Sequence, residues 1–419
     1  MGKFRRNKRT RRNIKSIVNR KTNITILLII LFIVISICII LTRISIDKIN
    51  IAKKEQINNS YINQILYISE EEIYKEQQAI SEMKKEVSVN IISLGNIMCE
   101  TPILQDGLNE NGLYDFSHIY EDIKKYTLGA DLVIGNLETC FTTGEYLGVG
   151  KYNSPKQFAK DLKNIGVDLL NTANNNSFNY GKQGVTDTID TLKEVGIEVV
   201  GTKYQGEESI VIKQIDGIEI AFLSYTYGLN GINNITEEQT NLVNVISKDK
   251  ILKDLKQVEN TDYICVNMHW GENNLNKPSQ QQQELADFLF ENGADIILGT
   301  HSPYLQPMEV KKNNKEEDVF VAYSIGSFIS TSGYRDENVE MILDIKITKD
   351  IDGNTYLNKI TYTPIYLLDN GKEVKNRYKL LDVKEEIKIY ESGNINRINK
   401  KIYENLLIAL ENIKNEIEK

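Results

Sequence analysis

The sequence predicts a layered α/β domain that follows an N-terminal membrane-spanning helix. Two observations lead to this fold class. From Val87 onward, short β-branched runs alternate with amphipathic stretches, a pattern typical of strands and helices that pack in layers. Upstream, residues 24–42 form one uninterrupted apolar run. With 41% hydrophobic and 26% charged residues, the 419-residue chain has the balance of a globular protein rather than of a disordered one.

The N-terminal apolar run Ile24–Thr42 contains no charge, glycine or proline. A helix of about 20 residues crosses the hydrocarbon core of a bilayer. Ten Lys/Arg and no Asp or Glu precede the run within residues 1–22. The positive-inside rule therefore places the basic segment 1–23 in the cytoplasm and the main domain outside the cell membrane, on a single-pass anchor. A cleaved signal peptide is the rival interpretation, but its apolar region usually spans about 7–15 residues and ends in a small-x-small site that is missing here.

Charge is distributed unevenly along the chain. The whole chain carries −8, and because its N-terminus is strongly basic, the part after Arg43 is more acidic still. Such a body repels polyphosphate, since non-specific nucleic-acid binding depends on clustered Lys and Arg. The sequence therefore predicts no nucleic-acid partner.

The segment between the membrane run and the α/β domain, residues 43–87, is polar and has apolar positions at helical spacing. It predicts a helical stalk, either solvated or in a weak coiled-coil contact. The α/β domain is predicted over residues 88–368 and a C-terminal helical segment over 369–419. Predicted strands cover 87–95, 130–138, 167–173, 197–201, a hairpin at 209–225 with an Asp-Gly turn, 263–270, 294–302, 319–328 and a pair within 341–365. Predicted helices lie near 116–127, 155–165, 182–195, 248–258, 278–292 and 383–419.

The four cysteines do not form a dense disulfide framework. Cys38 lies in the membrane run, whereas Cys99 and Cys140 each follow the end of a predicted strand. A Cys99–Cys140 disulfide and two buried free thiols both remain open.

Polar side chains stand where five apolar strands end. These residues are Asn96, Asn136, Glu138, the run Asn174 to Asn176, His269 and His301. Loops at strand ends are where α/β folds assemble their sites, although any single Asn there could be a turn or cap residue. The aromatic residues Trp270 and Tyr323 also end strands, and they either contact a ligand or pack around the cleft.

Seven sequence strings, taken in order, resemble the CapA family of poly-gamma-glutamate capsule synthesis proteins. They are GNIM (95–98), ADLVIGNLE (130–138), NSP (153–155), ANNNSFNYGKQGVTDTIDTLKEVGI (173–197), HWG (269–271), GADIILGTHSPYLQP (293–307) and YSIGSF (323–328). The resemblance covers about residues 88–368. It implies a four-layer α/β/β/α sandwich of the calcineurin-like metallophosphatase type and a role in synthesis or export of capsule or another surface polymer. Implied partners are the membrane, an anionic capsule polymer and membrane-bound polymer synthase subunits.

The resemblance also implies a site. Asn175, His269 and His301 occupy ligand-like positions with Glu138 nearby as a carboxylate, and Asn96 and Asn136 complete the set of candidate metal ligands. Imidazole and carboxylate groups suit zinc, manganese or iron. Candidate catalytic residues are His269, His301 and Glu138.

Several positions depart from the family pattern, and each change removes a charge or a metal-competent group. Where the family has Asp, His and Asp, this chain has Asn96, Asn176 and Asn179; Asn273 replaces a Glu, Pro303 a His and Ser327 an Asn. A neutral amide cannot bridge two dications as a carboxylate does, and Asn has no pKa in the range useful for proton donation. The expectation is at most one divalent metal, or none.

Three functions therefore remain open. The first is a non-catalytic or weakly catalytic protein that serves a membrane-bound surface-polymer assembly through binding. The second is a divergent metal-dependent hydrolase of a phosphoester or an amide-linked polymer. The third is an extracellular binding or sensor protein unrelated to capsule.

Overall fold

A computed structural model of the chain describes residues 29–41, 73–75, 85–272, 275–331 and 340–417. The chain forms two compact units, one of residues 87–348 with 355–419 and the other of residues 1–86 with 349–354.

The N-terminal unit is described only in part. Residues 29–41 are helical, and the remainder of the predicted membrane segment 24–42 lies outside the described residues. In the described part of the chain, no helix combines the length and the apolar character needed to cross a bilayer. Of the predicted stalk, the described residues are 73–75, which are helical, and the last three, 85–87.

The larger unit alternates strands and helices as predicted. Its strands are β1 (Val87–Ile97), β2 (Leu132–Leu137), β3 (Leu169–Asn171), β4 (Glu198–Val200), β5 (Val211–Ile215), β6 (Ile218–Thr226), β7 (Tyr263–Trp270), β8 (Ile296–His301), β9 (Met308–Lys312), β10 (Asp318–Ala322), β11 (Ser327–Ile329), β12 (Glu340–Lys349), β13 (Thr355–Asp369) and β14 (Tyr378–Asp382). Its helices are α1 (Thr101–Gly107), a 3₁₀ turn (Ser117–Tyr120), α2 (Lys124–Thr127), α3 (Lys156–Asn164), α4 (Gly181–Glu194), α5 (Glu237–Thr240), α6 (Lys248–Gln257), α7 (Gln280–Glu291), α8 (Val383–Glu391) and α9 (Lys400–Ile417).

Two mixed sheets carry the fold. The first has the order β14-β13-β12-β1-β2-β3-β4, with β11 also paired to β1, and the second has the order β5-β6-β7-β8-β10-β9. The strands β1 to β4 are parallel to one another, as are β6, β7, β8 and β10. The C-terminal ends of the parallel strands within each sheet therefore lie at one edge, which is where ligand sites form in α/β folds.

The side chains of each sheet alternate between two apolar cores. In β1, Ile91 joins a core shared by both sheets, whereas its neighbour Ile92 joins a core with the helices outside the first sheet. In β7, Cys265 faces the shared core and Val266 faces a third core that includes residues of α6 and α7. Because successive strand residues point to opposite faces, each sheet contributes side chains to the shared core and to a second core on its other face. The predicted α/β domain is confirmed, and both of its sheets are mixed.

The Asp-Gly hairpin is also confirmed. β5 and β6 are antiparallel, and the turn residues Asp216 and Gly217 have φ of 47° and 81°. Positive φ at both central residues is the requirement of a type I′ turn, which Asp-Gly satisfies at little steric cost.

Two predicted elements differ in the structure. The run 319–328, predicted as one strand, forms β10 in the second sheet and β11 in the first, because Gly326 turns the chain with a φ of 71°. The C-terminal segment 369–419, predicted as helical, also contains β14, which pairs antiparallel with β13. Strand β14 closes the edge of the first sheet before α8 and α9 begin.

Candidate functional site

The polar residues that end the parallel strands lie together in the structure. Asn96 belongs to β1, Asn136 to β2, His269 to β7 and His301 to β8, while Glu138 directly follows β2. All five are between 0% and 7% exposed. Hydrogen bonds and ring contacts connect them, so the strand-end rule brings together the side chains that it predicted.

A bulge at Gly95 aims Asn96 at the site. The pairing of β1 with β2 changes from Leu94 opposite Gly135 to Asn96 opposite Asn136, which leaves Gly95 unpaired. A Cβ atom at Gly95 would lie 2.3 Å from the carbonyl oxygen of Gly326. No residue with a side chain fits there, which explains why glycine precedes Asn96.

Three buried asparagines form a directed chain of hydrogen bonds. Asn171 Nδ2 donates to Asn136 Oδ1 at 2.8 Å, and Asn136 Nδ2 donates to Asn96 Oδ1 at 2.9 Å. The chain begins at the Ser224 hydroxyl, which donates to Asn171 Oδ1, and ends where Asn96 Nδ2 donates to the carbonyl oxygen of His301 at 3.3 Å. Each amide acts as donor and acceptor together, which an ionised carboxylate cannot do. The chain links the ends of the two sheets through neutral groups.

Asn96 also holds the backbone of His301. His301 has a φ of 101°, a conformation that costs roughly 1–3 kcal/mol in a residue with a side chain. Asn96 Oδ1 accepts from the His301 N–H at 3.4 Å, and Asn96 Nδ2 donates to the same residue's carbonyl oxygen. One amide therefore binds the peptide groups on both sides of the His301 Cα atom and holds its strained backbone in place.

Both ring nitrogens of His269 have protein partners. Nε2 lies 2.8 Å from Asn175 Oδ1 and Nδ1 lies 3.1 Å from Thr300 Oγ1. Since Asn175 Oδ1 can only accept, Nε2 carries the proton and Nδ1 accepts from the Thr300 hydroxyl. The lone pair of His269 is therefore used within the protein.

Burial disfavours charge on the titratable side chains of the site. Burial, aided by the adjacent His301, holds the pKa of His269 well below its usual range, and burial lowers the pKa of His301 to about 4. Burial also raises the pKa of Glu138 to about 8, a rise that nearby Glu100 increases and that hydrogen bonds from Asn176 and Asn136 oppose. Burial therefore favours the neutral form of all three groups.

An aromatic group covers the histidine pair. The Tyr227 ring stacks on His269 with centroids 6.0 Å apart and lies 4.7 Å from His301, while the two imidazole centroids are 4.7 Å apart. Tyr227 is 47% exposed, in contrast to both histidines. It is the part of the cluster that faces solvent.

The loop after β3 supports Glu138 from the other side. Asn176 Nδ2 donates to Glu138 Oε2 at 3.1 Å, and Asn136 Nδ2 donates to Oε1 at 3.0 Å. Asn176 Oδ1 in turn accepts from Asn179 and Asn230. Asn174 caps the same loop by donating to the Leu137 carbonyl oxygen at 2.6 Å.

The aromatic residues Trp270 and Tyr323 serve packing. Trp270 Nε1 donates to the Tyr323 carbonyl oxygen at 2.9 Å, the two rings stack, and both residues are buried.

His118 lies away from the cluster, and its Nε2 atom lies 2.7 Å from Asp106 Oδ2. Cys99 and Cys140 are buried free thiols, and burial raises the pKa of each. Asn273, predicted at a family Glu position, lies outside the described residues.

Sequence reasoning missed four contributors to the cluster: Asn171, Tyr227, Asn230 and Thr300. Asn171 is the last residue of β3, and Thr300 is the second-last residue of β8. Tyr227 directly follows β6, so the strand-end rule could have found all three. Asn230 lies in a loop without a distinguishing pattern and joins the site through Asn175 Nδ2, which donates to its Oδ1 at 2.8 Å.

Comparison with protein families identifies the domain. A family described as "Bacterial capsule synthesis protein PGA_cap" matches residues 90–332, more than half of the chain. The chain belongs to this family. The capsule synthesis family covers every residue of the cluster described above, from Asn96 to His301.

Two curated relatives agree with this membership. The chain is 30% identical over 234 residues to "Capsule biosynthesis protein CapA" of Bacillus anthracis, covering 53% of this chain and 56% of the relative. It is 27% identical over 229 residues to "PGA biosynthesis protein CapA" of Bacillus subtilis (strain 168), covering 49% and 58%. The chain thus spans a little over half the length of these relatives. Among solved structures, it is similar to Haemophilus influenzae NAD nucleotidase, with a TM-score of 0.42, 14% identity, and coverage of 79% of this chain and 61% of that one.

The candidate metal ligands of this member of the capsule synthesis family do not fit a metal ion as they are arranged. Across the described residues, no three His, Cys, Asp or Glu side chains are placed to hold one. His269 uses both ring nitrogens, and both oxygens of Glu138 accept from asparagines. The His301 imidazole has no hydrogen-bond partner among the described residues, but the other candidate ligands are held by their neighbours, and we derive no chemical step through a metal.

Proposed function

We propose that this protein serves the synthesis or export of a capsule or surface polymer at the cell envelope, and that it does so by binding rather than by catalysis. Membership in the capsule synthesis family supports the first part, together with the names of the two relatives. A polymer of the polyglutamate type and membrane-bound polymer synthase subunits are the proposed partners.

One observation carries the second part of the proposal. Apart from the His301 imidazole, the side chains at the candidate metal positions form a connected set of hydrogen bonds in which Asn96, Asn136 and Asn171 bond to one another and Glu138 is held by amides. A catalytic metal centre needs several open lone pairs directed at a common point. Lone pairs that already accept from neighbouring side chains are not open to a metal, which favours binding over metal catalysis.

We further propose that the domain has the calcineurin-like metallophosphatase type of sandwich with a degenerate metal site. The two mixed sheets and the helical layers outside them support this fold type. Asn at positions 96, 176 and 179, where the family pattern has charged or metal-competent residues, supports the loss of metal ligands.

The proposal includes a single-pass membrane anchor with the main domain outside the cell. The uncharged run Ile24–Thr42 and the ten basic residues before it support this topology. Residues 29–41 are helical, and Leu31, Phe32 and Leu41 in this stretch are more than half exposed, which suits contact with lipid.

The metal-free site makes a direct prediction. We expect the purified full-length chain, incubated with zinc, manganese and iron and then freed of loosely bound ions, to retain no stoichiometric metal by elemental analysis. The His118→Ala variant, which lacks the histidine outside the cluster, should behave identically. Stoichiometric metal that disappears in His269→Ala or His301→Ala would overturn the proposal and favour a metal-dependent hydrolase of a phosphoester or amide-linked polymer.

The anchor makes a second prediction. Deletion of residues 24–42 should abolish surface-polymer production, because the domain then lacks its attachment beside the membrane-bound synthase. Replacing the same residues by an unrelated apolar membrane helix should restore production, measured as polymer released from washed cells. Unchanged production in cells that lack the whole chain would instead favour a binding or sensor protein with no role in capsule.

A further inference from the structure

A lysine and an asparagine meet inside the larger unit, close to the C-terminal ends of β4 and β6. Lys203 Nζ donates to Asn244 Oδ1 at 3.2 Å, and the two residues are 41 positions apart in the chain. Lys203 is 8% exposed and Asn244 is 2% exposed, whereas lysine side chains usually reach solvent. The pair therefore places an amine, a nucleophilic group, against the acyl carbon of a side-chain amide within the protein interior.

Hydrogen bonds hold Asn244 in place beside the lysine. The Asn244 N–H donates to the carbonyl oxygen of Gly201, just after β4, at 2.8 Å. The Asn244 carbonyl oxygen accepts from the N–H of Thr226, at the end of β6, at 2.9 Å. Its side-chain Nδ2 donates to the carbonyl oxygen of Ser224 at 3.2 Å. The amide is thus fixed on the side away from Lys203, and its Oδ1 faces the amine.

The surroundings of Lys203 favour the nucleophilic form of its amine. Burial lowers the pKa of Lys203, and the charges of Lys250 and Lys253 lower it further, while Glu208 and Asp254 oppose this shift. A lowered pKa increases the fraction of the amine that has an unprotonated lone pair. The two carboxyl groups also place proton acceptors in the neighbourhood of the amine.

The geometry brings the amine within reach of the amide carbon. Asn244 Cγ is one C=O bond, about 1.2 Å, from Oδ1, so Lys203 Nζ lies within about 4.5 Å of it. Torsion about the terminal lysine bonds covers the rest of the distance to the roughly 3–3.5 Å at which bound groups react. We propose that Lys203 and Asn244 form an intramolecular isopeptide bond. The Nζ lone pair bonds to Cγ, the bond between Cγ and Nδ2 breaks, and one proton passes from Nζ to Nδ2, which leaves as ammonia. The step consumes no oxidant and no other reactant.

The isopeptide bond is a covalent link between the two sheets. Lys203 follows β4 of the first sheet, and Asn244 is hydrogen-bonded to the end of β6 in the second. Within the described part of the chain, all four cysteines are free thiols, so no disulfide supplies this link. The bond lies at the strand ends that carry the candidate site, and it is independent of what that site binds.

The test is a peptide map of the purified full-length chain by mass spectrometry. We expect a tryptic digest of the denatured chain to contain the Lys203 and Asn244 peptides joined as one branched species. Its mass should be lower than the sum for the two separate segments by one ammonia. Trypsin should leave the chain uncut after Lys203, because an acylated lysine has lost its positive charge.

Variants assign the bond to this pair. Lys203→Arg removes the amine and should give the two peptides separately, each with its full mass. Lys182→Arg is the matched control, because Lys182 Nζ also donates to a side-chain amide, Gln205 Oε1 at 2.8 Å, but on the exposed surface. The branched peptide should persist in this control. Separate, unmodified peptides from the natural chain would contradict the inference, as would a branched peptide that remains in Lys203→Arg. The natural chain alone gives the deciding result, whether or not a variant folds.

Discussion

In an Asn96→Asp variant, the free energy of unfolding is expected to fall by about 3–5 kcal/mol at pH 7. Asn96 Nδ2 donates to the carbonyl oxygens of His301 and Ser302, at 3.3 and 3.5 Å. An aspartate would turn a negative oxygen toward both carbonyls in a residue that is 3% exposed. It would also release the strained backbone of His301. Urea unfolding followed by the fluorescence of Trp270, the single tryptophan, reports on this region directly.

Two control variants define the meaning of that result. Asn111→Asp makes the same chemical change on the exposed surface and should alter the unfolding free energy by no more than about 0.5 kcal/mol. Asn153→Asp changes another buried asparagine that donates to two carbonyls, and it should destabilise the domain without shifting the NMR signal of the His301 ring. If Asn96→Asp unfolded at the same urea concentration as the natural protein, position 96 would not be a backbone clamp. A gain in stability with added manganese would indicate a metal ligand at this position.

The location of the site could be predicted from the sequence because it follows from strand direction. Asn96, Asn136, Glu138, His269 and His301 all end apolar runs, and in parallel strands such ends meet at one edge. The structure confirms that they lie together. Their metal-binding or catalytic roles stay predictions, and so do the anchor and the extracytoplasmic location.

The pairing within the site could not be predicted. The sequence shows which hydrogen-bond donors and acceptors exist, but not which of them bond to each other. For example, the amide of Asn96 donates to the backbone carbonyl of His301, 205 positions later in the chain. The side chain of Asn175, predicted as ligand-like, lies with its Oδ1 atom 2.8 Å from His269 Nε2, a contact that its residue type does not reveal. The sheet change between β10 and β11 depends on one turn at Gly326, inside an apolar run that has no other sign of interruption.

The charge state of Glu138 leads to the second large effect, the loss of a pH dependence of stability in Glu138→Gln. Burial raises the pKa of this carboxyl from 4.5 to about 8, so the folded protein holds a proton that the unfolded chain releases between these pH values. Stability attributable to Glu138 therefore falls as pH rises from about 4.5 to 8 and is constant outside that window. Glutamine has no such dependence, but its NH2 group replaces an oxygen that accepts from Asn136 Nδ2 or Asn176 Nδ2, which lowers the stability of the variant at every pH. We expect the stability of Glu138→Gln relative to the natural protein to rise by on the order of 3 kcal/mol between pH 4 and pH 7.

The measurement is a series of urea unfolding curves from pH 4 to 9, again followed by Trp270 fluorescence. Glu110→Gln, an exposed position, supplies the effect of removing one negative charge from the acidic surface. If the stability of the natural protein did not fall relative to Glu138→Gln between pH 4.5 and 8, Glu138 would be ionised in the folded state across this range. An ionised carboxylate at that buried position requires a positive partner, either a protonated His269, whose Nδ1 lies 3.9 Å from Glu138 Oε1, or a bound cation. Elemental analysis of the same samples separates these two partners, independently of any activity.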